Sequence, residues 1–599
     1  MCSSDLVAMA DRLAHRGPDG RGVMSSELAV LAHRRLAVRD PSEAGSQPMR
    51  SSCGRYALVY NGELYNDGEL RRDLAARGIE VRGSGDTATL LHAIMYWGER
   101  AASRLRGMYA FVFVDLREGR ALLARDPMGI KPLFVARAGG AKAGSLLLAA
   151  SEATAIVESG LVRAEPDHSG VVGYLMTIRT VLGRRTMYRG VESLEAGEWR
   201  EVSIRGGGGP DVPPRLVRSV IVEAPPAPSH AGGTREVIED SVRRHLRSDV
   251  PLCALLSGGL DSTIVAMITK RELGGLSTYC AGSPGEADDF AYARLAAGVL
   301  RTRHVEAPVD EAHFARSWPE MVERLGVPLS TPNEVAIREV ARAMRADGHK
   351  VALSGEGADE LFGGYDMVLR GAMEVESSLP AGAGEAIRLD AAAWFWLGAT
   401  AWVPLGSLAK VLRPAFLESA AGGGDVVAFV RSRFERCMER GEEPMQAHLR
   451  YQRAVNLEGL LRRLDTATML EGVEGRTPFA DAVVAAHADA LPFACKFDGK
   501  RGKIALREAF AGDVPPEVLR RAKASFPLPF ERWLGSMAWT VRESEFVREV
   551  FEEEAIDRAS ENPSELWRLA WPMFNLALWG RRFEGTGAVS RCVAQSRDA

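Results

Sequence analysis

A layered α+β domain joined by a Gly/Pro-rich stretch to an α/β domain with a largely helical tail is the architecture this sequence predicts. Three observations carry it. Short β-like runs at 56–60, 109–115, 121–124 and 146–150 are interleaved with helical patterns at 68–76 and 87–97, as in a layered α+β unit. The pattern then collapses into Gly206 to Gly209, followed by Pro210, Pro213, Pro214, Pro225, Pro226 and Pro228, a composition that suits a linker. From Thr234 onwards helical periodicity dominates, broken by buried-strand runs at 252–256, 276–281 and 350–353, the alternation of a doubly wound parallel sheet. The expected division is 1–205, a linker at 206–229, and 230–599. Beyond about residue 367 the chain reads as helical, with Gly-rich loops at 381–385 and 421–424 and no internal repeat.

Bulk properties narrow the function classes. A chain of 599 residues is long enough for two or more cores. Charged residues make up 26% and net charge is −4, with Lys and Arg spread throughout, which argues against nucleic-acid binding and disorder. The seven cysteines are scattered without a CxxC, as suits a reducing cytoplasm and not a zinc ribbon. No basic-then-apolar signal segment opens the sequence. Residues 391–409 carry no charge, but Pro404 and two glycines interrupt them. Trp394, Phe395, Trp396 and Trp402 there suit a packed core helix better than a membrane span.

The string Ser257-Gly-Gly-Leu-Asp-Ser262 is the most informative chemistry in the chain. It follows the apolar run 252–256 and precedes a helical pattern from Thr263. Glycines there let backbone N–H groups approach a phosphate, and a helix N-terminus favours its charge. Asp261 would repel phosphate directly, so a divalent cation must lie between them. A bare SGG turn occurs by chance; the full string between strand and helix is far more specific. It resembles the pyrophosphate loop of ATP-pyrophosphatases, and it lacks the lysine of a γ-phosphate-binding loop. A second string, Leu353-Ser-Gly-Glu-Gly-Ala-Asp-Glu-Leu-Phe-Gly-Gly-Tyr365, carries Glu356, Asp359 and Glu360. Alone it is equally an acidic surface turn; beside the first loop it becomes a second metal and substrate wall.

These strings, with 472–481 (GVEGRTPFAD), 499–510 (GKRGKIALREAF) and 521–534, occur in the order seen in glutamine-dependent asparagine synthetases. Upstream, 14–20 (AHRGPDG), 31–40, 60–66 (YNGELYN), 108–115 and 124–134 (ARDPMGIKPLF) resemble that family's glutaminase domain. The resemblance implies an Ntn-hydrolase glutaminase domain joined to a PP-loop synthetase domain. It implies a cytoplasmic ligase that adenylates a carboxylate with ATP and Mg²⁺ and amidates it with nitrogen from glutamine or ammonia. Aspartate to asparagine is the default pair. Implied ATP contacts are Leu256, Ser257, Gly258, Gly259, Asp261, Ser262, Ala281, Ser354 and Gly355, with Asp261 and Asp359 holding the metal. Glu356 would serve the adenylate and ammonia steps. Lys503 would stabilise charge on the α-phosphate and departing pyrophosphate, although by itself it reads as one of several surface lysines in GKRGK. Asp465 and Arg476 match positions read first as structural. In the other half, Cys2 would be the nucleophile, activated by its own α-amino group. Arg35, Asn61, Gly62 and Asp86 would bind glutamine and its oxyanion, Arg35 at the α-carboxylate and Asp86 at the α-amino group. Partners are small molecules, with a homodimer left open.

Three departures from the family pattern set further expectations. Met1-Cys2-Ser3-Ser4 leads almost at once into 14–20, so the first strand that should carry the nucleophile is missing. A misassigned start, a lost glutaminase and a compensating path for Cys2 are the competing explanations, and the expectation is amide formation with ammonia rather than glutamine. Ala88 stands where the family usually has Glu. The family's Thr-Thr-Ile-Arg string is Leu329-Ser330-Thr331-Pro332 here, which removes an arginine partner for an α-carboxylate. That leaves room for a pathway-specific carboxylate or for intramolecular amide formation like that of β-lactam synthetases and lasso-peptide cyclases. A catalytically dead scaffold is disfavoured by the joint presence of Asp261, Glu356, Asp359 and Lys503.

Overall fold

The computed structural model describes residues 3–139, 146–204, 215–222, 233–283, 288–438, 443–521 and 528–585. Cys2, the glycine run at 206–209, the linker prolines and 522–527 of the motif at 521–534 lie outside them.

In the N-terminal half the strands Tyr56–Leu64, Gly107–Asp115 and Arg120–Arg125 form an antiparallel sheet that Glu198–Ser203 extends. Gly107–Asp115 lies at its centre and is almost wholly buried, because both faces are covered. On one face Phe111 and Trp199 pack with Leu70, Leu90, Leu91 and Ile94 of the helices Asp67–Ala75 and Asp86–Trp97. On the other, Ala110, Val114 and Leu123 meet Leu133, Val135 and Leu194 beside a second, five-stranded sheet. The predicted α+β layering is therefore present. The ARDPMGIKPLF string forms its turn around one buried carboxylate: Asp126 accepts from the backbone N–H groups of Tyr109, Met128, Ile130 and Lys131.

Two expectations need correction. Part of the expected linker, Arg215–Ile221, is a strand paired antiparallel with Glu198–Ser203. The flanking prolines and glycines concealed a run whose Leu, Val, Val and Ile suit an edge strand. In the helix Glu385–Ala399 Trp396 is 2% exposed, but Trp394 is 59% exposed and not in the core. Trp402 lies past the helix end and packs edge-on against Trp567. Among the described residues no helix is long and apolar enough to cross a membrane.

The second half opens on five parallel strands in the spatial order Arg303–Pro308, Ser277–Gly282, Leu252–Leu255, Val351–Leu353, Glu474–Arg476. The order reverses between Leu252–Leu255 and Val351–Leu353, and ligands bind outside the carboxyl ends of strands at such a switch point. Both glycine loops leave the sheet there. Buried ions join the halves: Asp465 pairs with Arg16 (2.7 Å) and Lys131 (3.1 Å), and Arg476 with Glu474 (2.8 Å) and Glu63 (3.3 Å). Asp465 and Arg476 are thus structural, as read from the sequence.

Candidate active sites and the chamber between them

At the switch point, Leu255 runs into the Ser257–Gly259 turn and the helix Leu260–Leu273 starts immediately after it. Gly258 has φ +72°, and an added Cβ would sit 2.3 Å from the Tyr292 carbonyl carbon, so the turn requires glycine. The Ser257 and Ser262 hydroxyls lie 3.2 Å apart across it. A cavity of about 190 Å³ is lined by Leu256, Ser257, Gly259, Asp261, Ser262, Ala281, Ser354, Gly355, Glu356 and Asp359. Every expected ATP contact except Gly258 lines that one cavity. Lys503 joins them from 242 residues away: its Nζ lies 2.6 Å from Asp261 Oδ2 and 2.6 Å from Asp359 Oδ1. Burial alone would pull its amine down; the two aspartates outweigh that and hold the ammonium above its ordinary range. Its backbone sits in the left-handed region, φ 59°, with its N–H bonded to Phe362 O. Such strain in a non-glycine residue persists where surrounding structure over-determines it, and it clusters at active sites. Gly364 makes room for the group, since a Cβ there would overlap Asp359 Oδ1. Glu356 receives Arg463 Nη2 at 2.7 Å.

Among the described residues no three His, Cys, Asp or Glu side chains gather into a metal site. The protein offers two carboxylates, Asp261 and Asp359, to one point. That donor set fits Mg²⁺, which takes one or two carboxylates and completes its shell with substrate phosphates.

The second cavity, about 170 Å³, is lined by Arg35, Asn61, Gly62 and Asp86, so the four expected glutamine contacts also come together. Their states differ from expectation. Asn61 Nδ2 is buried with no hydrogen-bond partner among the described residues, as a donor reserved for an oxyanion would be. Arg35, expected to meet an α-carboxylate, instead donates to the carbonyls of Arg39, Asp40 and Ser42. Asp86, expected to meet an α-amino group, is buried and accepts from Tyr60 Oη (2.9 Å) and Leu64 N (2.8 Å). Burial pushes its carboxyl up, against those two bonds. Leu6, Met9, Ala10 and Leu13, from and just beyond the helix Ser3–Arg12, close one side.

Between the two lies a larger chamber of about 350 Å³. It shares Ser151 with the Arg35 cavity and Arg463 with the Asp261 cavity. Sequence reasoning missed its arginines, Arg179, Arg462, Arg463 and Arg568, and also Gly364. Arg462, Arg463 and Arg568 lie on helices and Arg179 in the loop just past the helix His168–Thr177, and a lone arginine in either place carries no signal of its own; Gly364 stood in the second glycine string and could have been found there.

Residues 233–581 match the family described as asparagine synthase, and residues 2–207 match the glutamine amidotransferase domain. A putative glutamine-hydrolysing asparagine synthetase of Mycobacterium tuberculosis is 32% identical, covering 89% of this chain and 85% of its own. Asparagine synthetase 1 of Bacillus subtilis is 28% identical over 92% and 87%, and the Zea mays enzyme 31% over 60% and 57%.

Proposed function

This chain belongs to the asparagine synthase family, and from that premise we propose that it is an ATP-dependent, glutamine-hydrolysing ligase that turns a carboxylic acid into its amide through an acyl-adenylate. The observation that carries this reading is Lys503 Nζ lying 2.6 Å from both Asp261 and Asp359 at the switch point. Those carboxylates would hold Mg²⁺, which supplies charge neutralisation for the triphosphate. The turn at Ser257–Gly259 cradles phosphate, and Lys503 places a fixed positive charge where charge grows on the departing pyrophosphate. An acceptor carboxylate oxygen attacks the α-phosphorus and the bond to pyrophosphate breaks. Ammonia nitrogen then bonds to the carbonyl carbon, AMP leaves, and a proton is lost from nitrogen. Glu356, fixed by Arg463, is the carboxylate beside that centre. Nitrogen would come from glutamine in the Arg35 cavity, which meets the chamber at Ser151; Cys2, outside the described residues, would be the nucleophile, in place of the ammonia dependence expected from the sequence.

Aspartate is the first acceptor to test, because the relatives carry asparagine synthetase names. A larger carboxylate is the second reading, favoured by the Leu329–Thr331 segment. Its donors are already engaged: Ser330 N, Ser330 Oγ and Thr331 N all bond to Glu334 Oε1. A cytoplasmic location goes with this reading. The deciding experiment is ATP–pyrophosphate exchange over a panel of acids, with product mass measured in ammonia and in glutamine. Acid-dependent exchange with amide and AMP as products is expected; ADP in place of AMP would overturn the reading.

A further inference from the structure

The chamber is larger than a nitrogen passage requires. A water-sized molecule needs roughly 10–15 Å³ of accessible space, whereas this cavity of about 350 Å³ is of the size that holds small molecules. Its wall carries four arginines, Arg179, Arg462, Arg463 and Arg568, against two carboxylates, Glu152 and Glu334. Glu152 is already held by His15 and Arg16 and Glu334 by Ser330 and Thr331, so the balance is positive, and neutral ammonia gains nothing from that. Arg179 reaches over Gly459, where a Cβ would lie 3.2 Å from its Nε, and donates to two neutral acceptors, Val455 O and Asn456 Oδ1. Burial holds its guanidinium below the ordinary range. Arg462 faces Glu458 at only 3.4 Å, while Arg125 takes that carboxylate at 2.9 Å. Burial, with repulsion from Arg125, pulls Arg462 down to about 10. Arg462 Nη1 and Arg463 Nε are buried without hydrogen-bond partners among the described residues. Buried donors of this kind are costly unless water or a ligand in the chamber meets them. Arg463 is one helical turn beyond Gly459 and touches Glu356, so the cationic wall leads directly to the reacting centre. Trp402 and Trp567 add an apolar side.

We propose that this chamber seats the acceptor, and that the acceptor is a carboxylic acid longer than aspartate, with an apolar body and a second anionic group. The reacting carboxylate lies beside Glu356, and the second anion lies between Arg179 and Arg462. The proposal rests on the adenylation reading above and specifies its substrate class. Ammonia needs only the part of the chamber that the acceptor leaves open.

The test uses the full chain with ATP, Mg²⁺ and ammonium chloride. Pyrophosphate release is followed with the dicarboxylic acids from adipate to sebacate, their monocarboxylic counterparts, and aspartate. The best diacid should exceed aspartate in kcat/KM by about tenfold or more. Arg179→Ala and Arg462→Ala should each raise the diacid KM by about 10- to 100-fold and leave the monoacid KM unchanged. Calorimetric titration of the diacid without ATP should show the same loss in each variant, and thermal unfolding checks that each still folds. Aspartate outperforming every diacid would overturn the chamber assignment and leave amidation standing. Equal KM changes for mono- and diacids would reduce the arginines to structural residues and overturn it as well. ATP binding with no exchange on any acid would overturn the amidation reading itself, and calorimetry would still decide whether the chamber holds a diacid.

Discussion

In the cleft proposed for nucleotide the charged groups face one another, Lys503 against Asp261 and Asp359, whereas in the cavity proposed for glutamine Arg35 and Asp86 are turned onto the cavity's own wall. The difference is one of what a ligand must displace. A lysine between two carboxylates can exchange those contacts for phosphate and metal without disturbing the backbone. Arg35 bonds three carbonyls and Asp86 holds the end of the strand Tyr56–Leu64, so ligand binding there has to replace bonds that shape the pocket. The first site is organised for chemistry as it stands. In the second, Asn61 is the group whose donor is ready.

The sharpest way to break the contrast is at the two aspartates. Asp261→Asn and Asp359→Asn should each abolish pyrophosphate release at any ammonia concentration, because both carboxylates are needed to neutralise the triphosphate with Mg²⁺. Near-normal turnover of either variant at saturating Mg²⁺ would remove the metal assignment.

The joint between the two regions comes next. Asp465→Asn leaves Arg16 and Lys131 buried without their shared carboxylate and should cost about 3–5 kcal/mol in denaturant unfolding. Burial alone would raise this carboxyl; Arg16 and Lys131 hold it below its ordinary range. Its contribution is therefore complete above the unfolded aspartate value and fades as pH falls through the folded one. Asp465→Asn should show the flatter acid limb of stability against pH, and parallel limbs would contradict the pairing.

Lys503→Ala should lower kcat by about 100- to 1,000-fold with little change in the KM for ATP, as expected of a charge that acts on a leaving group. A rise confined to KM would make Lys503 a ground-state contact. The smallest expected effect is at Asp86. Asp86→Ala should lower stability by about 1–3 kcal/mol by removing the acceptor that Tyr60 and Leu64 share, while ammonia-dependent amide formation is unchanged. A variant of unaltered stability that loses only glutamine use would show Asp86 to be free for substrate after all.

Much of this molecule was legible along the chain. The strand runs, both glycine loops and the α+β-to-α/β order follow from local pattern, because apolar runs, turn glycines and helix starts are properties of neighbouring residues. The strand Arg215–Ile221 was missed because the composition of its flanks outweighed its own short run.

The sequence by itself determined the two-part architecture and the residues of the glycine turn, since the strand, Ser257–Gly259 and the following helix are contiguous and their geometry is local. Tertiary structure alone decided what those residues meet. It brought Lys503 across 242 positions to Asp261, set Arg463 against Glu356, and turned Arg35 and Asp86 inward. It also gathered Arg179, from the first half, and Arg462 around one chamber. The physical reason is that a charge finds its partner by position in space and by burial, and neither is written in the residues beside it.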